Sequence, residues 1–130
     1  MSRLITRTTL AICGVILGLI GCALIFSPQA FLQMSNIVVE KDPGLMSELI
    51  APTGILLMSG AFMILGAVQM RFAGLGLVCG AIVYGSYGTG RVVSAVIHGF
   101  PSQSLITAAL FELCIAALLV ALLWRQPHEL

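Results

Sequence analysis

Four stretches of this chain stay apolar long enough to cross a lipid bilayer, and no other feature restricts its fold so strongly. A transmembrane helix needs about 20 mainly apolar residues to span a hydrocarbon core of about 30 Å. Residues 8–26, 45–70, 72–100 and 105–124 all meet that requirement. The first is free of charge, the second carries Glu48 and Pro52 near its start, the third contains Arg91 and the fourth contains Glu112. The second and third stretches are longer than the core is thick, which predicts tilt or a kink. Composition agrees, with 59% of the 130 residues hydrophobic and 8% charged, against about 25% charged in an average soluble domain. The expected fold is all-α: an integral membrane four-helix bundle, formed by a single domain over residues 1–130, with the lipid bilayer as its first partner.

Arg71 and the "PSQS" stretch leave only short connections after the second and third spans, so antiparallel hairpins are expected there. The first connection is longer. In it Phe31, Leu32, Ile37, Val38 and Val39 stand beside Glu40, Lys41 and Asp42, a pattern that suits either a short interfacial amphipathic segment or a plain loop. Basic residues near the span ends set orientation. Arg3, Arg7, Arg71 and Arg125 fall on one side of a four-span arrangement and Lys41 on the other, so both termini are expected to be cytoplasmic. Trp124 beside Arg125 suits an interfacial anchor.

Several function classes lose support at once. Six basic and five acidic residues nearly cancel, which leaves no basic field for nucleic acid. Cys13, Cys22, Cys79 and Cys114 lie within apolar runs and none has C-x-x-C spacing, so they read as small packing residues rather than a redox or zinc site. With only His98 and His128 beside them, neither a metal nor another cofactor is indicated. Arg3 and Arg7 before an apolar run also resemble a signal peptide, and Leu19 to Cys22 fits a lipoprotein cleavage box. The apolar run continues through Phe26, which favours a retained helix packing through Gly14, Gly18 and Gly21.

The candidate site lies on the third span. At helical spacing Tyr84, Tyr87, Arg91, Ser94 and His98 share one face with Gly76, Gly80, Gly88 and Ala95. Leu75, Val78, Ile82, Val93, Val96 and Ile97 occupy the opposite, lipid-facing side. An arginine at the bilayer centre costs at least about 2.5 to 3.5 kcal/mol. At about 1.5 Å per residue Arg91 stands about 30 Å from Arg71, near the outer boundary of the core, where it can snorkel to the headgroups or take an intramembrane partner. Glu48 and Glu112 are the carboxylates at a similar level, and Ala108, Ala109 and Ala116 flank Glu112 in a seam that permits close helix approach. The expectation is an ion pair from Arg91 to Glu112, to Glu48 or to both, capped by Tyr84, Tyr87 and His98.

The order "SELIAPTG", then "YGTGRVVSAVIHGFPS", then "ALFE" resembles a bacterial family of four-helix membrane proteins, the domain of unknown function 4345, from Glu48 to the C-terminus. The resemblance implies a multi-pass protein of the bacterial inner (plasma) membrane and supports the same polar residues. Relatives carry an arginine soon after the second-helix glutamate and an acidic residue at the position of His98, so Ile50 and His98 depart from the family pattern. The family has no assigned activity, and the resemblance implies no reaction.

Two functional readings stand. One is a structural or accessory membrane component, a homo-oligomer or part of a larger membrane complex, held by an Arg–Glu interhelical cluster. The other is a small-molecule or lipid binder or transporter with an outer-leaflet pocket lined by Glu48, Tyr84, Tyr87, Arg91 and Glu112. Enzymatic activity has the least support: Ser94 and His98 are one turn apart but lack an oriented third member, and no phosphate loop or histidine cluster is present.

Overall fold

The computed structural model describes residues Ser2–Gln126 and is almost entirely helical among them. Helix α1 runs Ser2–Phe26, α2 Pro28–Gln33, α3 Pro43–Ile50, α4 Thr53–Val68, α5 Ala73–His98 and α6 Gln103–Trp124, with a single 3₁₀ turn at Met70–Phe72. Four helical spans are long and apolar enough to cross a membrane: Ser2–Phe26, Pro43–Val68, Met70–His98 and Gln103–Trp124.

The second span is broken where proline dictates. Pro52 has no N–H to give and its ring crowds the carbonyl four residues earlier, so α3 ends at Ile50 and α4 begins at Thr53. The Thr53 hydroxyl donates to the Ile50 carbonyl at 2.6 Å and so recovers an acceptor left at the break. Pro43 opens α3, where a missing N–H costs nothing, and the Asp42 carboxylate accepts from the Leu45 N–H at 2.8 Å as its N-cap. The first connection contains the short helix α2, then a turn at Asn36, whose φ of 59° is left-handed, and an irregular stretch that reaches Asp42. At the far end of α5, Gly99 takes φ 90°, a conformation open to glycine, and Pro101 follows before α6.

Close approach of the spans depends on residues without side chains. A Cβ on Gly60 would lie 2.9 Å from the Gly14 carbonyl oxygen, and one on Gly14 would lie 3.0 Å from the Gly60 carbonyl oxygen. The α1–α4 crossing is therefore backbone against backbone. Gly76 brings α5 equally close to α4, its missing Cβ 3.0 Å from the Phe62 carbonyl oxygen. Each span also contributes apolar side chains that are 0% exposed: Leu10 in the first, Met63 in the second, Ala73 and Leu77 in the third, and Leu119 in the fourth.

The spans do not close into a ring. α1 packs on α4, α4 on α5 and α5 on α6, while α1 and α6 do not pack as a pair. In its most apolar window the span containing α5 is 39% buried, against 17% for α6. α5 is thus the central helix and α6 the peripheral one, an opened version of the expected bundle. The glycines at positions 76, 80 and 88 explain the difference, because they give α5 a smooth face on which both α4 and α6 can seat.

Candidate functional site: an ion pair between α5 and α6

The Arg91 Nε donates to Glu112 Oε2 at 3.0 Å, the one ion pair among the described residues. The pair joins the central helix to the peripheral one. Its members differ in exposure, with the Glu112 side chain 14% accessible and that of Arg91 33%. The carboxylate is tucked into the helix contact, and the guanidinium leans out of it.

Local packing explains why the two helices come close enough at this level. A Cβ on Gly88 would lie 2.8 Å from the Leu113 side chain, and one on Gly85 would lie 3.7 Å from the Ala116 Cβ. Glycines on α5 therefore receive the side chains that flank Glu112 on α6. Ala109 is buried in the same contact, so the small-residue seam expected around Glu112 faces α5. Tyr87, half-buried and packed on the core, sits one turn before Arg91.

The other expected members are placed elsewhere. Tyr84 is 3% exposed and its hydroxyl donates to the Cys13 carbonyl at 2.9 Å, so it ties α5 to α1 instead of capping Arg91. Ser94 and His98 are exposed, on the stretch of α5 beyond Gly88 where no residue is buried. Glu48 is exposed on α3, an element that packs on α1 and α4. The break at Pro52 separates α3 from the straight part of the span and leaves Glu112 as the carboxylate that reaches Arg91. The side of α5 expected to face lipid is exposed: Leu75, Val78, Ile82, Val93, Val96 and Ile97 all lie on the surface of the structure.

Among the described residues no group of three His, Cys, Asp or Glu side chains comes together to hold a metal, and the four cysteines are unpaired. His128 lies outside the described residues.

Two further features carry no signal in residue spacing. Arg7 Nε donates to the Ala67 carbonyl at 2.7 Å, satisfying an acceptor in the last turn of α4 where a cation also opposes the helix dipole. An apolar groove of about 480 Å³ lies between the C-terminal end of α5 and the N-terminal end of α6, walled by Val92, Ala95, Phe100, Ile106 and Ala109 among others, with Arg91 as its one ionisable residue. It depends on how far apart two helix ends stand, which a linear pattern does not encode.

No curated protein and no solved structure matches the chain. One family does match, over residues 5–123, which is nearly the whole chain and includes both members of the ion pair. The protein therefore belongs to the family described as Domain of unknown function (DUF4345).

Proposed function

We propose that this protein is a structural or accessory component of a membrane, in which the Arg91–Glu112 pair holds the peripheral helix α6 against α5 so that the outer face of α6 can meet another subunit. The observation that carries this reading is the 3.0 Å bond between two helices that otherwise touch through small and apolar side chains. A paired charge in an apolar setting is a weak source of stability but a strong source of register, since any sliding of one helix leaves both charges unmatched. α6 also has the least buried apolar surface of the four spans.

The basic residues support an orientation with both termini cytoplasmic. Arg7 touches the last turn of α4, Arg71 lies in the following turn and stacks 4.5 Å from the centre of the Phe72 ring, and Arg125 follows α6. These mark one end of the spans, and under the positive-inside rule that end is cytoplasmic. The bacterial inner membrane is the matching location.

Blue-native electrophoresis of gently solubilised protein tests the reading. An assembly larger than the 13.7 kDa chain is expected, weakened by Glu112→Gln. A monomer under every gentle condition overturns it. The groove beside Arg91 favours a second reading, in which the same hairpin binds a small lipophilic molecule.

A further inference from the structure

A guanidinium carries five N–H donors. At Arg91 one of them meets Glu112, and no other protein acceptor is within hydrogen-bonding reach among the described residues. The remaining donors belong to a side chain that is 33% accessible and forms part of the groove wall. The groove runs from Arg91 past Ala95 and Ile106 to Phe100 and Pro101. Its rim is apolar, with Val92, Val96 and Phe100 exposed by 46%, 81% and 87%. Donors left without a protein acceptor beside an apolar wall suit an occupant that brings its own acceptor, and the groove's volume of about 480 Å³ is that of a small-molecule site, for which about 300–1,000 Å³ is usual.

The charge state of the site selects the occupant. Glu112 already neutralises Arg91, and it is not part of the groove wall. An anionic ligand would leave one uncompensated negative charge in an apolar setting, a heavy desolvation cost. A cation would be repelled by the nearest charge it meets. A neutral molecule with an acceptor oxygen adds no net charge and gains a charge-assisted hydrogen bond.

We infer that the α5/α6 groove binds a neutral lipophilic carbonyl compound, its oxygen on the free N–H groups of Arg91 and its apolar body between Val92 and Ala95 of α5 and Ile106 and Ala109 of α6. The inference uses the same ion pair as the proposed function, but it concerns the face of Arg91 turned away from Glu112.

Native mass spectrometry of the full chain in lipid nanodiscs tests it with three probes of equal length: a methyl alkyl ketone, the matching alkane and the matching carboxylate. The ketone is expected to be retained about tenfold more than the alkane, the scale of one hydrogen bond to a charged donor, and more than the carboxylate. Ala95→Phe fills the groove while leaving Arg91 and Glu112 themselves unchanged and is expected to abolish ketone retention. Val96→Trp, at a residue 81% exposed, crowds the same groove from its rim and serves if Ala95→Phe does not fold. Equal retention of ketone and alkane, preference for the carboxylate, or ketone binding unchanged in the groove-filling variant overturns the inference. None of these outcomes affects the oligomeric state that tests the proposed function, and a monomer on the native gel leaves the ketone result standing.

Discussion

The two halves of α5 share one continuous helical backbone, yet they sit in different surroundings. From Ala73 to Gly88 the helix buries Ala73, Gly76, Leu77, Gly80, Val83, Tyr84 and Gly88, with α4 and α6 on either side and α1 reaching in through the Tyr84 bond. From Thr89 to His98 it buries nothing fully. The first half is held by shape, since glycines let backbones and flat side chains touch over a wide area. The second half is held to α6 by one ion pair beside an open groove. In a bilayer, where lipid tails are as apolar as leucine, contact quality and polar pairing decide which helices stay together. The first half of α5 uses the former and the second half the latter.

That contrast can be broken from either side. The largest effect is expected at the glycine contacts: Gly60→Leu must displace the Gly14 backbone, which lies 2.9 Å from the position of its new Cβ. Overpacking of this kind costs about 3 kcal/mol or more, and unfolding by added denaturing detergent should show it as a large loss of stability. Gly60→Ala should show the same sign and a smaller size.

Next in size is Glu112→Gln, which keeps an amide oxygen able to accept from Arg91 but removes the counter-charge, so that a charge-assisted bond becomes an ordinary one and Arg91 is left uncompensated. A loss of about 1.5–3 kcal/mol is expected in the same titration. The double variant Arg91→Gln with Glu112→Gln should lose less than the two single changes added together, because removing both charges leaves none stranded. If the double variant is as damaged as the sum, the two groups do not act as a pair.

Tyr84→Phe is expected to cost about 0.6 kcal/mol and no more than about 1.7, the range measured for hydrogen bonds between membrane helices. Its effect should appear as loosening of α1 from α5, read by hydrogen exchange around Cys13, with the Arg91–Glu112 hairpin unaffected. Smallest of all are Ser94→Ala and His98→Ala, both at exposed positions of the second half, which should stay within about 0.5 kcal/mol of the parent. A large effect at either would mean that the second half of α5 is covered by a partner.

Much of the fold was legible in the residues because membrane spans obey a simple local rule. Length and apolarity alone locate the four spans, and Pro52 marks the interruption of the second. The lipid-facing side of α5 is legible for the same reason, since a helix repeats every 3.6 residues whatever surrounds it. The polar face is legible only in part. Periodicity aligns Tyr84, Tyr87, Arg91, Ser94 and His98, but it carries no information about where the neighbouring helix ends. The stripe is covered as far as Gly88, where Leu113 of α6 packs on it, and no residue of α5 is buried after that.

Residue order alone determined that this chain is helical, that it has four segments able to cross a membrane, and that Arg91 lies on a polar face at a level similar to that of Glu48 and Glu112. These follow from composition and spacing, which act along one helix at a time. Only the tertiary structure decided that the partner is Glu112 rather than Glu48, that Tyr84 bonds to α1, and that a groove opens beside Arg91. Each of those depends on the distance between helices, set by glycines far apart in the chain: Gly14 meeting Gly60, Gly76 meeting the Phe62 carbonyl, and Gly88 meeting Leu113. A missing side chain counts only once the backbone that fills its place is known.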